Sequence, residues 1–161
     1  MEVSTIKAWV DIASIIVSIF TTLSIISGAF LYFINNRRDR RIKTLEYWEE
    51  TQPNLIEART LLININNTGL WTEELAKKQL NNKNNKPKIY DALSKFERLA
   101  IGINLNTYDI KVLNKLSGNF LIDSYLAYIP LIECYQSINN EPDSFCEFRK
   151  LYETLTKIQN H

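Results

Sequence analysis

The segment IASIIVSIFTTLSIISGAFLYFINN, residues Ile12 to Asn36, contains no charged side chain. As a helix, the part up to Ile34 spans roughly 35 Å at about 1.5 Å per residue, and the hydrocarbon core of a bilayer is about 30 Å thick. A helix is required there because lipid offers no hydrogen-bond partners to backbone groups. Trp9 precedes the segment and Tyr32 and Phe33 lie near its end, as aromatic residues do at the two membrane interfaces. The sequence therefore predicts one transmembrane helix near residues 12–34.

Two other structures contain a long apolar segment near an N-terminus. A cleaved signal peptide has a basic start, a shorter apolar stretch and a small-residue cleavage site. Here Lys7 is offset by Glu2 and Asp11, and the apolar stretch ends at Asn35-Asn36-Arg37-Arg38 without such a site. A buried core helix of a soluble protein needs other segments apolar enough to cover it on all sides, and this chain has none. A membrane anchor is the interpretation that fits best.

Basic residues are concentrated on the C-terminal side of the segment: Arg37, Arg38, Arg40, Arg41 and Lys43. Only Lys7 and the amino terminus precede it. Because basic flanks stay in the cytoplasm, we predict a single-pass protein of the bacterial inner membrane, with its N-terminus outside and its C-terminal domain in the cytoplasm. The four arginines are expected to fix this topology, and a dedicated anionic-lipid site is the alternative.

Small and hydroxyl-bearing residues form a stripe within the apolar segment. With Ile25 as its one larger, apolar member, the stripe recurs at steps of four and three: Ser14, Ser18, Thr21, Ile25 and Gly28. This spacing keeps them on one helix face, and small residues let helices approach closely in lipid. We interpret the stripe as an oligomerisation face of a homo-oligomer. Two alternatives stay open, namely hydroxyl groups that bond back to their own helix and a hydroxyl-lined, regulated pore.

The rest of the chain has the composition of one helical domain. About 120 residues follow the anchor and its flank, which is enough for a real core. Gly and Pro, at four each, are too few for a turn-rich β architecture. A net charge of +1 argues against a general DNA-binding protein. The many Asn, Ile and Lys residues are typical of an AT-rich gene.

We divide the chain into residues 1–36 (flank and span), residues 37–52 (a basic juxtamembrane helix that Pro53 ends) and residues 53–161 (a cytoplasmic helical domain). Apolar residues at three- and four-residue steps predict the helices of the last part. The clearest of these helices is Lys88–Asn104, with an apolar face formed by Ile89, Leu93, Phe96, Ala100 and Ile103. The fold class is therefore all-α: a single transmembrane helix plus a bundle of five or six helices.

Local signals indicate where some helices begin and end. A turn is expected at Asn64–Gly69, and Thr72 is expected to cap the helix after it. Asn106 or Thr107 is expected to cap a later helix, which Ser117-Gly118 breaks or bends.

Nothing in the sequence points to catalysis, a metal or a cofactor. The only histidine is the last residue, His161, which excludes a Ser-His-Asp triad and a Cys-His pair. Cys134 and Cys146 fit no metal spacing and are expected to be reduced, buried thiols. Nucleotide-binding glycine loops and zinc motifs are absent from the sequence. We therefore predict a non-enzymatic protein without a metal or cofactor.

Two polar pairs have simple structural interpretations. Glu97-Arg98 is expected to be a surface ion pair, and Tyr108-Asp109 is expected to start a helix.

The run DALSKFERLAIGINLNTYDIKVLNKLSGNFLIDSYLAYIPLI, Asp91 to Ile132, resembles a family of small bacterial and phage-encoded membrane proteins. The features that carry the resemblance are Phe96-Glu97-Arg98-Leu99-Ala100-Ile101-Gly102, Tyr108-Asp109 and Ser117-Gly118. That family pairs one N-terminal span with a helical domain of unknown function. The resemblance implies the same topology and no catalytic residues.

Exposed Asn, Lys and Tyr residues suit a nucleotide ligand, because Asn pairs with the adenine edge, Lys meets phosphate and Tyr stacks on bases. The candidates are Asn81, Asn82, Lys83, Asn84, Asn85, Lys86, Lys88, Asn104, Asn106, Tyr108 and Lys111. In a symmetric assembly, a cyclic ligand on the axis would be contacted by every subunit. That layout is similar to the type III CRISPR ancillary membrane effectors that bind cyclic oligoadenylate, although no motif carries the similarity. The alternative is that residues 81–87 form a solvated loop.

Two functional hypotheses follow. The first is a membrane-anchored sensor or effector in bacterial antiviral defence, whose helical domain binds a ligand and acts through assembled spans. The second is a membrane adaptor, including a phage-encoded exclusion factor, that recruits a cytoplasmic protein. A third hypothesis, a membrane-bound enzyme, has the least support in the sequence.

Overall fold

A computed structural model describes residues 2–66 and 70–160, with side chains described for Trp9 and from Ile12 onward. Five helices occupy these residues, and no strand occurs among them: α1 (Glu2–Asn66), α2 (Glu73–Leu80), α3 (Lys86–Asn104), α4 (Ile110–Asn139) and α5 (Cys146–Gln159). The predicted all-α class is confirmed. The turn predicted at Asn64–Gly69 is wrong for residues 64–66, which are helical, and its remainder lies outside the described residues.

The chain divides into two compact units, residues 1–39 and residues 40–161. The first unit is the N-terminal part of α1, and every side chain from Ile12 to Asp39 is exposed. An 18-residue stretch in this part of α1 has a mean hydropathy of 2.0, and none of its residues is buried. This helix is long enough and apolar enough to cross a membrane.

In the second unit, α1 is amphipathic. Trp48, Leu55, Ala58 and Leu62 are buried at helical spacing. Pro53 lies inside α1, so the predicted helix end there is wrong. Proline removes one backbone hydrogen bond, to the carbonyl of residue 49, but residues 49 and 53 are both exposed, so that carbonyl is not enclosed in the core. The buried side chains on either side of Pro53 hold the helix together across it.

The other helices begin and end for local chemical reasons. The predicted cap of α2 is confirmed, because the Thr72 hydroxyl accepts a hydrogen bond from the Leu75 N–H at 3.3 Å. At the start of α4, the prediction that Tyr108-Asp109 begins a helix is confirmed, because Asp109 is the cap, whereas Asn106 or Thr107 as the cap is wrong. A carboxylate that accepts two backbone N–H groups is a stronger cap than either alternative. The predicted break at Ser117-Gly118 is confirmed, since Ser117 has non-helical dihedrals (φ −154°, ψ 16°).

The core of the second unit is built around the fully buried Phe96 on α3. Its ring lies 5.1 Å from the ring of Phe148 on α5, and 5.8 Å and 6.3 Å from those of Tyr128 and Phe120 on α4. The five apolar residues predicted for α3 are all buried: Ile89, Leu93, Phe96, Ala100 and Ile103. Each large side chain buried in this way contributes about 1.5–3 kcal/mol, so this face fixes how α3, α4 and α5 pack.

Candidate functional site

The predicted ligand residues fall into two groups at opposite ends of α3. Asn81, Asn82, Lys83, Lys86 and Lys88 lie at or just before its start, and Asn104, Asn106, Tyr108 and Lys111 lie at or just beyond its end. The helix has 19 residues and is therefore about 28 Å long. One small ligand cannot touch both groups within one chain.

Of the residues near the start of α3, Asn81, Asn82 and Lys83 lie in the turn between α2 and α3, and Lys86 and Lys88 lie in the first turn of α3. Asn82 Oδ1 accepts hydrogen bonds from the N–H groups of Asn84 at 2.9 Å and Asn85 at 3.3 Å. The Lys86 ammonium donates to Asn139 Oδ1 at 2.8 Å, which ties this turn to the end of α4. Asn81 ends α2 through its backbone N–H, and Lys83 is exposed. Two of these predicted binding residues, Asn82 and Lys86, therefore have structural roles.

A groove of about 620 Å³ lies beside this turn, between the last turns of α1 and the start of α3. It is lined by Glu57, Thr60, Leu61, Asn64, Ile65, Asn85 and Lys88. Of the predicted ligand residues, Asn85 and Lys88 contribute to it. Its mixed lining offers hydrogen bonds and one cationic side chain to a ligand.

Two of the residues near the end of α3, Asn104 and Tyr108, have side-chain contacts within the chain, whereas the side chains of Asn106 and Lys111 are exposed. Asn104 Nδ2 donates to the Glu147 carbonyl oxygen at 3.0 Å and to its carboxylate at 2.7 Å, joining α3 to the start of α5. Asn106 has a left-handed backbone conformation (φ 57°), which turns the chain between α3 and α4. The Tyr108 ring stacks on that of Tyr47 with 4.4 Å between ring centroids.

Asp109 joins the α3–α4 loop to α1. Its carboxylate lies 3.3 Å from Arg41 Nε, and its backbone N–H donates to the Thr44 hydroxyl oxygen at 2.8 Å. The Thr44 hydroxyl donates in turn to the Arg40 carbonyl at 2.6 Å. The same carboxylate accepts the N–H groups of Lys111 and Val112 as the cap of α4. We call the set Arg41, Thr44 and Asp109 the Asp109 contact.

Opposing effects set the pKa of Asp109. Burial is the largest single effect and raises it, but the backbone N–H groups of Lys111 and Val112, together with the Arg41 guanidinium, outweigh burial. The net pKa is therefore lower than the ordinary value of a free aspartate, and the carboxylate is ionised at neutral pH.

Glycine at position 102 makes room for Tyr108. A Cβ atom added to Gly102 would lie 2.5 Å from Cε2 and 2.7 Å from Cδ2 of the tyrosine ring. The ring of Tyr108 is therefore held between α3 on one side and Tyr47 of α1 on the other. The Asp109 contact and this stack fix the α3–α4 loop against the first turns of α1 in the second unit.

The four predicted arginines differ in their surroundings. Arg40 Nη1 lies 3.5 Å from the Asn106 carbonyl oxygen, and Arg41 belongs to the Asp109 contact. Arg37 and Arg38 are exposed. Two of the four arginines predicted to fix the topology therefore hold the α3–α4 loop, a role that the sequence did not predict. The acidic residue after Tyr108 was the available signal, but its partner lies 68 positions away.

In the apolar segment, hydroxyl groups donate hydrogen bonds to carbonyls of their own helix, which is one of the two alternatives given for the stripe. The Thr21 hydroxyl donates to the Val17 carbonyl at 2.8 Å, and the neighbouring Thr22 and Ser24 bond back in the same way. An added Cβ at Gly28 would meet nothing within 4 Å. The oligomerisation role of Ser14, Ser18, Thr21 and Gly28 stays a prediction.

Glu97 is not the surface ion pair that was expected. It is half-buried, and its carboxylate accepts the N–H groups of Glu147 at 3.1 Å and Phe148 at 2.8 Å, at the start of α5. Burial raises its pKa more than these two hydrogen bonds lower it. Glu97 is therefore a cap that one helix supplies to another.

The described residues contain few of the groups that hold metals or act as nucleophiles. No group of three or more His, Cys, Asp or Glu residues within residues 2–66 and 70–160 is arranged to hold a metal ion. Cys134 and Cys146 are free thiols, and burial raises the pKa of both, which disfavours the thiolate. Cys146 is only partly buried, so the expectation of two buried thiols is wrong for it.

The fold and these contacts define a class of protein: one apolar helix joined to a compact helical unit. The chain belongs to the family described as a domain of unknown function (DUF4760), whose model matches residues 8–155. The prediction of a domain of unknown function is confirmed, whereas the bacterial and phage origin of the family and the similarity to CRISPR effectors stay predictions. No curated protein and no solved structure matches the chain.

Proposed function

We propose that this chain is a non-enzymatic, membrane-anchored effector or adaptor, whose helical unit is a binding module on the cytoplasmic side of a bacterial cell membrane. The observation that carries the proposal is the first part of α1, where large apolar side chains are exposed around the whole helix. Phe20 is 67% exposed, Ile25 67% and Phe30 66%. Each would gain about 1.5–3 kcal/mol by leaving water, and a bilayer covers such a helix on every side.

The orientation rests on charge. The apolar segment is followed by Arg37, Arg38, Arg40 and Arg41, whose transfer through the hydrocarbon core costs about 2.5–3.5 kcal/mol each at the centre. The helical unit would therefore stay in the cytoplasm. What supports a non-enzymatic role is that the carboxylates Glu97 and Asp109 are used in helix caps and loop contacts.

Membrane extraction of the intact chain tests the anchor. The wild-type protein is expected to stay in the membrane pellet after carbonate washing, and Ile19→Arg with Leu23→Arg is expected to release it. A matched control is Ile56→Arg, because Ile56 is also about half exposed but lies in the second unit. Release of the wild-type protein by carbonate would overturn the proposal.

A ligand-binding version is favoured by one observation, the groove that Asn85 and Lys88 help to line. The proposed ligand is a small cyclic nucleotide such as cyclic oligoadenylate, and the antiviral setting rests on the similarity in layout to CRISPR effectors. A thermal-shift screen of the full chain in detergent is the test, with Lys88→Glu as the variant and Lys83→Glu as the control outside the groove. A shift that Lys88→Glu abolishes supports this version, and no shift with any compound removes it.

The self-association of the span is tested separately. Gly28→Leu fills the small-residue stripe and is expected to lower cross-linking in membranes, whereas Ile26→Leu is expected to leave it unchanged. Equal cross-linking by both variants would show that this stripe is not the contact.

A further inference from the structure

One end of the second unit combines an exposed leucine with a cluster of basic residues. The loop after α3 presents Leu105, which is 72% exposed, among the most exposed large apolar side chains of this unit. Asn106 and Thr107 beside it are also exposed. A single exposed leucine is common in soluble proteins, so its surroundings decide what it means.

The surroundings are positively charged. Residues 40–43 and 105–111 contain four basic residues, Arg40, Arg41, Lys43 and Lys111, and one acidic residue, Asp109. They lie together because Arg40 contacts the Asn106 carbonyl and Arg41 contacts Asp109. The Asp109 side chain is paired with Arg41 and offsets one of these four positive charges, so the cluster keeps an excess of positive charge. Lys43 and Lys111 are exposed.

This end of the unit is also the end that the chain enters. Arg40 is the first residue of the second unit and follows Asp39, the last residue of the first unit. Only a few residues of covalent chain therefore separate Arg40 from the apolar segment that ends near Ile34.

We propose that Leu105 and the basic residues Arg40, Arg41, Lys43 and Lys111 form a docking surface for an anionic membrane surface. This inference rests on the proposed anchoring of the chain. Basic side chains meet anionic headgroups, and the leucine inserts into the boundary between headgroups and acyl chains, about 5–10 Å deep. The Asp109 contact and the Tyr47–Tyr108 stack hold the loop in place, so that Leu105 is presented by a fixed support.

The test uses the full chain in nanodiscs, with a fluorescent probe on a cysteine at Thr107, next to Leu105. Cys134→Ala and Cys146→Ala remove the native thiols, and circular dichroism checks the fold. A probe at Lys83 is the matched control, because it is also exposed in a loop but lies at the opposite end of α3. Lipids with a nitroxide near the headgroup quench a probe that lies at the bilayer surface.

In discs that contain anionic lipid, the probe at position 107 is expected to be quenched at least twofold more than the probe at position 83. Leu105→Asp, or Lys43→Glu with Lys111→Glu, is expected to remove that difference, as are discs of zwitterionic lipid. Equal quenching at the two positions in anionic discs overturns the docking surface while the anchor stands. A chain that does not enter nanodiscs at all overturns both.

Discussion

The backbone N–H of Asp109 donates a hydrogen bond to the Thr44 hydroxyl across 65 positions of sequence, at 2.8 Å. Thr44 is 2% exposed, and its hydroxyl donates to Arg40 at the same time, so the hydroxyl uses both its donor and an acceptor site. This bond fixes the α3–α4 loop to the first turns of α1 in the second unit.

Thr44→Val is expected to destabilise the second unit by about 1–3 kcal/mol, because it leaves the Asp109 N–H without a partner in a partly buried place. Thermal unfolding in detergent, followed by the fluorescence of the buried Trp48 and Trp71, measures the change. Thr60→Val is the control: Thr60 makes the same kind of bond to its own helix but is exposed, so a change within about 0.5 kcal/mol is expected. Equal losses in the two variants would show that the loop bond adds nothing.

The Asp109 contact is expected to weaken in acid. The pKa of Asp109 in the folded protein is lower than its ordinary value of 3.8. Its contribution to stability is therefore present above pH 3.8 and is lost as the pH falls through the lowered folded value. Unfolding measured between pH 6 and pH 2, about the range over which an aspartate titrates, is expected to show a shallower acid loss for Asp109→Asn than for wild type. Identical slopes would contradict this assignment.

Glu97→Ala is expected to cost about 1–3 kcal/mol, because two N–H groups at the start of α5 lose their acceptor. The neighbouring Arg98→Ala is the control, since Arg98 is exposed. Glu97 has the opposite pH dependence to Asp109: its folded pKa is raised, so its contribution is fully present below its ordinary pKa of 4.5 and declines as the pH rises through the folded value. If NMR shows that Glu97 in the wild-type protein titrates below pH 4.5, the effect assigned to its burial is contradicted.

Gly102→Ala is expected to destabilise the second unit by about 1–3 kcal/mol, because the added methyl group meets the Tyr108 ring. Removing the Tyr108 ring is expected to reverse the sign of this change in stability. In a Tyr108→Ala background, the same substitution is expected to stabilise by about 0.5–1 kcal/mol, the usual gain for alanine over glycine inside a helix. Thermal melts of the wild type, the two single variants and the double variant measure the coupling energy between positions 102 and 108. Additive effects would contradict a competition for space between the added methyl group and the Tyr108 ring.

The sequence predicted those features of the fold that depend on residues within one short segment. The apolar face of α3 and the Thr72 cap depend on residues close in sequence, and both are confirmed. Pro53 misled because the tertiary packing of Leu55 and Ala58 outweighs the local cost of proline. For α4, Tyr108-Asp109 marked the helix start correctly, whereas Asn106 or Thr107 as the cap lay two or three residues too early.

The candidate site was less accessible from the sequence because its contacts are long-range. Arg41 and Asp109 are each ordinary surface residues by type, and only the packing of α1 on the α3–α4 loop brings them together. The same holds for Glu97, whose partners on α5 lie 50 and 51 positions away. Residue type alone placed Asn104 and Tyr108 in one ligand site, whereas the structure uses them as an intrachain bond and a ring stack.

The most direct test of the account is the membrane topology of the intact chain. Two reporters are fused in turn after His161, one active only in the cytoplasm and one active only outside it, and each fusion is fractionated. We predict that both fusions stay with the membrane and that only the cytoplasmic reporter is active. A soluble fusion, or activity of the external reporter alone, would contradict an anchor that holds the helical unit inside the cell.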